Sequence, residues 1–197
     1  IEFDAQGGRS EAVAELLAES DELLATFNAL LRIAQIESGN RRSGFAATDL
    51  ATIMRDVCEF YEPLAADKEQ KVSVALPPSC PGVFDRDLLF QAFANLLDNA
   101  IKYAPPGGCI EVRLDAGTDV ATVSIADDGP GIPAAERDRV FQRFYRVEAS
   151  RSGHPGNGLG LSLVQAVINL HGGGVQLGDN APGLRVTVWL PRVAAPA

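Results

Sequence analysis

The chain has 197 residues, 46% of them hydrophobic, and a formal net charge of −9 at pH 7. This is enough for one or two domains with a hydrophobic core, and the acidic balance argues against nucleic acid as a partner. The three cysteines, Cys58, Cys80 and Cys109, lack metal-type spacing and indicate free thiols in a reducing compartment. No apolar run approaches the roughly 20 residues that a membrane-spanning helix requires.

The first region, residues 1–44, predicts a bundle helix followed by a short linker. Leucine pairs with a seven-residue spacing and two further apolar residues form one stripe: Leu16-Leu17, Leu23-Leu24, Leu30-Leu31, Phe27 and Ala34. The stripe is wider than a two-stranded coiled-coil seam and suits a helix in a bundle. Because one helix cannot bury it alone, the helix needs a second copy or the following domain. The segment SGNRRSG (38–44) predicts the linker.

From about Thr48 the pattern predicts a compact α/β domain. A first helix has Ile53, Val57, Phe60 and Leu64 on one face. Strand patterns follow in KVSVAL, CIEVRLDA, DVATVSIADD, GVQLGD and LRVTVWLP, and the helix LGLSLVQAVINLH ends at a run of three glycines (172–174). Because the strands come in pairs, we expect a two-layer α/β sandwich in which a mixed, mostly antiparallel sheet carries helices on one face.

The helix after KVSVAL has an unusual polar face, and Asp85 is its predicted N-cap. Four polar side chains fall within an arc of about 100°, with Tyr103 at the border: Asn95, Asp98, Asn99 and Lys102. The opposite side is apolar: Leu89, Phe90, Phe93, Ala94, Leu96, Leu97, Ala100 and Ile101. Asparagine and aspartate are poor helix formers, so these residues lower the intrinsic stability of the helix. The helix alone leaves open whether the face is solvated or functional.

Two glycine-rich segments lie further along the chain. In DDGPGI (127–132), Gly129 and Gly131 permit a sharp turn beside the Asp127 carboxylate, although an ordinary turn has the same composition. In GNGLGLSLV (156–164), alternating glycines precede a helix whose N-terminal N–H groups attract phosphate. The second segment is neither a Rossmann fingerprint nor a P-loop.

The order of these motifs resembles the catalytic ATP-binding domain of sensor histidine kinases. An asparagine helix, Asp-x-Gly-x-Gly, VFQRFYR (140–146) and Gly-x-Gly-x-Gly-Leu follow one another as in that family, over roughly Thr48 to Arg192. The first region resembles the second helix of the family's dimerisation and histidine-phosphotransfer domain. The resemblance thus implies part of that helical domain with its linker in 1–44, and the catalytic ATP-binding domain, of histidine kinase/gyrase type, in 45–197.

The resemblance also implies roles for single residues, with ATP and Mg²⁺ as the bound groups. At the phosphate end, the residue matching Asn99 binds the metal ion, the one matching Asn95 orients the γ-phosphate or a water, and those matching Lys102 and Arg146 neutralise phosphate charge. At the base end, the residue matching Tyr103 contacts the base or ribose, the one matching Asp127 accepts the adenine amino hydrogen, and the one matching Ile132 packs on the base. The residue matching Thr187 places a hydroxyl near the adenine. The nucleotide-binding set is completed by Gly129, Gly131, Gly156, Gly158, Leu159, Gly160 and Leu161. Asn95, Lys102 and Arg146 form the catalytic set.

By the same resemblance, a lid runs from about Val147 to Asn157, anchored at one end by Phe141 and Phe144 of VFQRFYR, which also suit the core. Arg151 in this lid either joins the phosphates or is solvated. His154 in the lid and His171 at a helix end are the only histidines, and no acidic residue follows either of them. We therefore predict that both are structural. The chain is expected to be a fragment of a longer kinase that lacks the acceptor helix and does not phosphorylate itself.

Three other functions compete with this one. Related ATP hydrolases normally place a glutamate at the position of Asn95, and asparagine cannot serve as that base. A nucleotide-binding pseudokinase or dimerisation module and a serine-directed anti-sigma kinase are the others, and the bundle helix argues against the last. The partners implied are a response regulator receiver domain and a second copy through the bundle, with no nucleic acid. The location implied is cytoplasmic, with membrane contact only through segments outside this chain.

Overall fold

A computed structural model describes residues 20, 23–24, 26–37, 44–147 and 157–192. Its elements in chain order are α1 (26–37), β1 (Phe45–Asp49), α2 (Leu50–Asp67), β2 (Lys71–Ala75), β3 (Pro81–Asp85), α3 (Arg86–Tyr103), β4 (Cys109–Ala116), β5 (Val120–Asp127), the 3₁₀ turns Ala134–Glu136 and Arg139–Phe141, α4 (Gly160–Leu170), β6 (Gly174–Asp179) and β7 (Leu184–Pro191).

The main sheet has five strands in the order β2-β4-β5-β7-β6. Strand β2 is parallel to β4, and the remaining neighbours are antiparallel. Alternate residues of the central strands are buried with the apolar sides of α2, α3 and α4, among them Val112, Val123, Ile125 and Val188. The opposite face carries exposed side chains such as Trp189. The predicted two-layer sandwich is therefore confirmed, as are the five strands.

The helix ends follow the predicted local chemistry. The Asp85 carboxylate accepts a hydrogen bond from the Leu88 N–H at 3.1 Å and caps α3. Helix α4 ends where Gly172 adopts a positive φ of 70°, and the Gly173 N–H donates to the Ile168 carbonyl at 3.0 Å. Glycine is favoured at such an end because it adopts this backbone conformation without strain.

A second, two-stranded sheet was not predicted. Strands β1 and β3 pair antiparallel, with Phe45 opposite Asp85, and together they join the first part of the domain to the start of α3. The ring of His171 packs beside this ribbon, 4.6 Å from the ring centroid of Phe45. Neither strand has a clear apolar alternation, because one contains two alanines and the other a proline and a glycine.

The apolar face of α2 is buried over only part of its length. Ile53 and Val57 lie in the core as expected, whereas Phe60 is 68% exposed and Leu64 is also exposed. The domain core therefore covers the predicted apolar face only at Ile53 and Val57. The ring of Phe60 meets Tyr61 and Phe90 edge-on at the surface, where these last turns pass beyond the core.

Helix α1 presents one face to the domain and another to solvent. Ile33 and Ile36 are buried in the domain core, and Arg143 forms an ion pair with Glu37 at 2.6 Å. Other apolar side chains stay exposed: Phe27 and Leu31 on α1, and Leu23 and Leu24 before it. The leucine pair at 16–17 lies outside the described residues. In the described part of the chain, no helix combines the length and apolar character needed to cross a bilayer.

Candidate functional site

The polar face of α3 lies against the start of α4. Asn95, Asn99 and Lys102 are half-buried on this face, and the Asn95 side-chain amide donates to the Gln91 carbonyl at 2.9 Å. A carbon added at Gly160 would lie 3.1 Å from Asn95 Oδ1 and 3.9 Å from Asn99 Nδ2. Glycine at this position allows the two helices to approach closely. The structure thus brings together the asparagine pair and the second glycine segment, which the sequence places more than 50 residues apart.

The N-terminus of α4 lacks a side-chain cap. Leu159 occupies the cap position, and its side chain is buried in the core; Leu161 is partly buried beside it. The first N–H groups of an uncapped helix have no partner within the helix and attract anions. Gly158, with a φ of 69°, passes so close to the VFQRFYR segment that an added carbon would lie 2.8 Å from the Phe144 carbonyl carbon.

Charged groups of both signs surround the Lys102 ammonium. Burial lowers the pKa of Lys102; the charge of Asp98 opposes this shift, and those of Arg146 and Lys68 add to it. The Lys102 Nζ lies 5.9 Å from the centroid of the Tyr103 ring. Like charges disfavour one another's protonated forms, so Arg146 and Lys68 add to the effect of burial, whereas Asp98 favours the charged ammonium. The polar face of α3 therefore carries a half-buried cation.

Asp127 stands at the end of β5 and is only 6% exposed. Its Oδ1 accepts hydrogen bonds from the N–H groups of Gly129 at 2.9 Å and Leu184 at 3.4 Å. Burial raises the pKa of Asp127, and these two N–H groups offset part of the shift. Within the described chain, no donor reaches the second oxygen, Oδ2. One carboxylate oxygen is thus fixed by the backbone while the other remains for a ligand.

The loop after Asp127 abuts the end of α3. A carbon added at Gly129 would lie 2.7 Å from the Tyr103 carbonyl oxygen, and one at Gly131 would lie 2.8 Å from the Gly183 carbonyl oxygen. Gly131 also has a positive φ of 69°, which glycine adopts without strain. Ile132 is half-buried and packs on the core. The two glycines therefore place Asp127 between α3 and the β6–β7 turn.

The VFQRFYR segment is anchored at some of its residues only. Val140 is buried, and the Tyr145 hydroxyl donates to Glu136 Oε2 at 3.0 Å beneath the guanidinium of Arg139. Phe144 has a φ of 64° and is exposed, so it does not belong to the core. The predicted site residue Gly156, the lid residues Arg151 and His154, and the rest of 148–156 lie outside the described residues.

Thr187 does not join the other predicted residues. It pairs with Ser124, whereas Val186 pairs with Ile125, and side chains alternate between the faces of a sheet. Asp127 shares the face of Ile125, so Thr187 lies on the opposite face of the sheet from Asp127, which contradicts the expectation that both residues contact the same base. The contact of the Leu184 N–H with Asp127 was not predicted from the sequence. The one sequence feature that could have indicated it is the turn-forming segment Asn180-Ala-Pro-Gly just before Leu184.

His171 is engaged through both ring nitrogens. Its Nε2 accepts from the Asp85 N–H at 3.1 Å, and its Nδ1 lies 2.8 Å from the Val167 carbonyl oxygen. Burial lowers the pKa of His171, which favours the neutral ring. A ring buried in this way lacks a free nitrogen for phosphorylation, in accord with the structural role expected of it.

The residues present fit a magnesium ion held mainly by its ligand. The described residues contain no cluster of three or more His, Cys, Asp or Glu side chains suited to a metal. Mg²⁺, however, often takes only one or two protein oxygens and completes its shell with phosphates and water. The Asn99 side chain makes no hydrogen bond within the described chain and lies beside the uncapped α4 N-terminus. Its amide oxygen is therefore available.

Comparison with known proteins places the chain in one family. Residues 84–194, more than half of the chain, match the family described as "Histidine kinase-, DNA gyrase B-, and HSP90-like ATPase". The Sensor protein IrlS of Burkholderia pseudomallei is 34% identical over 82% of this chain and 34% of its own length. The Sensor protein kinase PmrB of Pseudomonas aeruginosa is 34% identical over 83% of this chain and 34% of its own.

Solved structures show the same relationship. A mycobacterial sensor histidine kinase, MprB, has 34% identity and a TM-score of 0.65, covering 77% of this chain and 99% of that one. Full-length ShkA in complex with AMPPNP has 27% identity and a TM-score of 0.79, covering 95% of this chain and 39% of that one.

The chain belongs to the histidine kinase-, DNA gyrase B- and HSP90-like ATPases. Within that family it contains the catalytic ATP-binding domain of a sensor histidine kinase. It spans about a third of the length of the curated relatives named above.

Proposed function

We propose that this chain binds ATP with Mg²⁺ and transfers the γ-phosphoryl group to a histidine on a helical bundle of its parent kinase. That phosphoryl group then passes to an aspartate of a response regulator receiver domain. The observation that carries the proposal is the convergence of three features around one place. These are the asparagine pair of α3, the uncapped N-terminus of α4 and the half-buried Lys102 on the polar face of α3.

The two ends of the site suit the two ends of ATP. The free N–H groups of α4, with Lys102 and Arg146, are suited to bind the phosphates, while Asp127 is suited to accept the adenine amino hydrogen through Oδ2. Tyr103 and Ile132 are both half-buried and are suited to offer apolar surface to the base or ribose. Asn99 would hold Mg²⁺, which when bound neutralises phosphate charge.

Asn95 favours transfer to a protein group over hydrolysis. Its side-chain N–H is held by the Gln91 carbonyl, so its Oδ1 is directed towards the start of α4. An amide cannot take a proton from water as a carboxylate can. We infer that Asn95 orients the γ-phosphoryl group, because phosphoryl transfer depends mainly on alignment and charge stabilisation.

The exposed stripe of α1 supports dimerisation of the parent through its bundle. Leu23, Leu24, Phe27 and Leu31 share one exposed surface while Ile33 and Ile36 pack on the domain. An exposed apolar stripe on a helix marks a contact surface.

We place the site in the cytoplasm, where ATP and response regulators are found.

Replacing Asn99 tests the metal ligand. Asn99→Ala is expected to reduce Mg-ATP affinity by about 10- to 100-fold, by analogy with other lost metal-site contacts, because it removes the amide oxygen. Its melting temperature should stay near that of the parent, since the side chain makes no hydrogen bond within the described chain. Asn169→Ala, an exposed asparagine at the far end of α4, is the matched control. Equal calorimetric affinities in Asn99→Ala and the control would reject Asn99 as ligand.

Phosphotransfer is tested in trans with γ-labelled ATP. The chain is mixed with a protein that carries the complete helical bundle of a related sensor kinase. We expect acid-labile label on the bundle protein and none on this chain, because neither His154 nor His171 lies in the bundle region and the ring nitrogens of His171 are both engaged. Release of inorganic phosphate without label on any protein would contradict transfer and favour hydrolysis. Acid-labile label on this chain alone would show that it contains an acceptor histidine.

A further inference from the structure

The Asp127 backbone carbonyl is bound by the first of several linked polar side chains, which run from the β6–β7 turn to β4. The Asn180 side-chain amide donates to the Asp127 backbone carbonyl at 2.9 Å. Its Oδ1 in turn accepts from the Arg185 guanidinium at 2.7 Å. Arg185 also reaches Glu111 on β4, at 3.5 Å. Both functional ends of the Asn180 amide are thus used, which fixes the orientation of its side chain.

The β6–β7 turn fits closely over the same residue. Gly183 has a φ of 114°, and a carbon added there would lie 1.8 Å from the Asp127 carbonyl oxygen. The next residue, Leu184, donates its N–H to Asp127 Oδ1 at 3.4 Å. The turn therefore contacts Asp127 at two points, its backbone carbonyl and one carboxylate oxygen. These contacts leave Oδ2 as the carboxylate oxygen without a donor in the described chain.

We propose that Asn180 is a positioning residue that sets base selectivity by fixing the backbone, and so the carboxylate direction, of Asp127. This rests on the proposed function, in which Asp127 Oδ2 accepts the adenine amino hydrogen. A base with a carbonyl at the same place, as in inosine, offers an acceptor instead of a donor and meets the carboxylate unfavourably. Discrimination between the two bases depends on a carboxylate that is fixed in one orientation, because a carboxylate that rotates freely can turn away from an unfavourable base and bind water instead.

Substitutions of Asn180 can remove its hydrogen bond to the Asp127 backbone carbonyl. In Asn180→Ala the carbonyl loses its donor and the turn loses its link to Arg185. In Asn180→Asp the acceptor for Arg185 is kept and the donor to Asp127 is removed. Both variants should lower the ratio of ATP to ITP affinity, by about three- to tenfold, which is the scale of one hydrogen bond. Affinity for ITP itself should change less than affinity for ATP.

The experiment measures ATP and ITP affinities by calorimetry, with melting temperatures alongside. Asp179→Ala is the control, since the side chain of this exposed neighbour makes no hydrogen bond or ion pair within the described chain. A reduced ratio in both Asn180 variants, with the control unchanged, supports the proposal. A lower melting temperature with an unchanged ratio overturns it and leaves Asn180 with a structural role. If Asn180→Ala does not fold, Asn180→Asp alone decides, because it keeps the partner of Arg185.

Asp127→Asn separates this proposal from the function on which it rests. If Asp127→Asn lowers the ratio and the Asn180 variants do not, only the positioning role is overturned. If Asp127→Asn leaves the ratio unchanged, Asp127 does not read the base, and both the adenine contact and the role of Asn180 are rejected.

Discussion

Mild acid is expected to destabilise this domain through one buried imidazole. His171 is 8% exposed, and its Nε2 accepts the Asp85 N–H at the junction of β3 and α3. Burial lowers the pKa of His171, although the hydrogen bond to Val167 and the charge of Asp85 act in the opposite direction. Because the unfolded pKa is about 6.5, stability should be complete above that pH and fall as the pH drops towards the folded pKa.

The size of this effect follows from the hydrogen bond that protonation removes. A proton on Nε2 turns the acceptor into a donor that faces the Asp85 N–H, which leaves a buried donor unpaired at a cost of about 1–3 kcal/mol. His171→Phe keeps a ring beside Phe45 and cannot titrate, so it should carry a similar penalty at every pH. The variant should therefore be less stable than the parent at pH 8, and the difference should shrink towards pH 5.5.

Urea unfolding of parent and variant from pH 8 to pH 5.5 measures this difference directly. Carboxylates that titrate at the lower end contribute equally to both proteins and cancel in the comparison. A stability difference that stays constant across the whole series would refute the reasoning, since it would mean that folding does not lower the pKa of His171.

Two further predictions concern the phosphates and the assembly. Lys102→Met should weaken ATP binding by about tenfold, roughly the contribution of one charge-assisted hydrogen bond, with little loss of stability because burial already disfavours the charged ammonium. Calorimetry at low and high salt checks this, and an unchanged affinity would contradict it. Replacing Leu23 and Leu24 by glutamate in a protein with the complete bundle should yield monomers in light scattering, whereas Phe60→Glu, at an exposed position on α2, should leave the dimer intact.

Features with a local cause were predictable from the sequence. The strands of the main sheet follow from alternation, the start of α3 from the Asp85 cap, and the end of α4 from Gly172. The polar arc of α3 was also predictable, because residues at helical spacing share a face wherever the helix lies. Each of these depends on neighbours within a few positions along the chain.

The tertiary structure decided which of these surfaces meet. Pairing of β5 with β7 sends Thr187 to the face away from Asp127, and a shift of one residue would have reversed that outcome. The same pairing brings Leu184 and Asn180 to Asp127 across more than 50 residues of sequence. The exposure of Phe60, the β1–β3 ribbon and the division of α1 into a packed and an exposed face also depend on distant partners. Periodicity gives a residue its face on its own element, but the contact that covers that face is set by register and packing between elements.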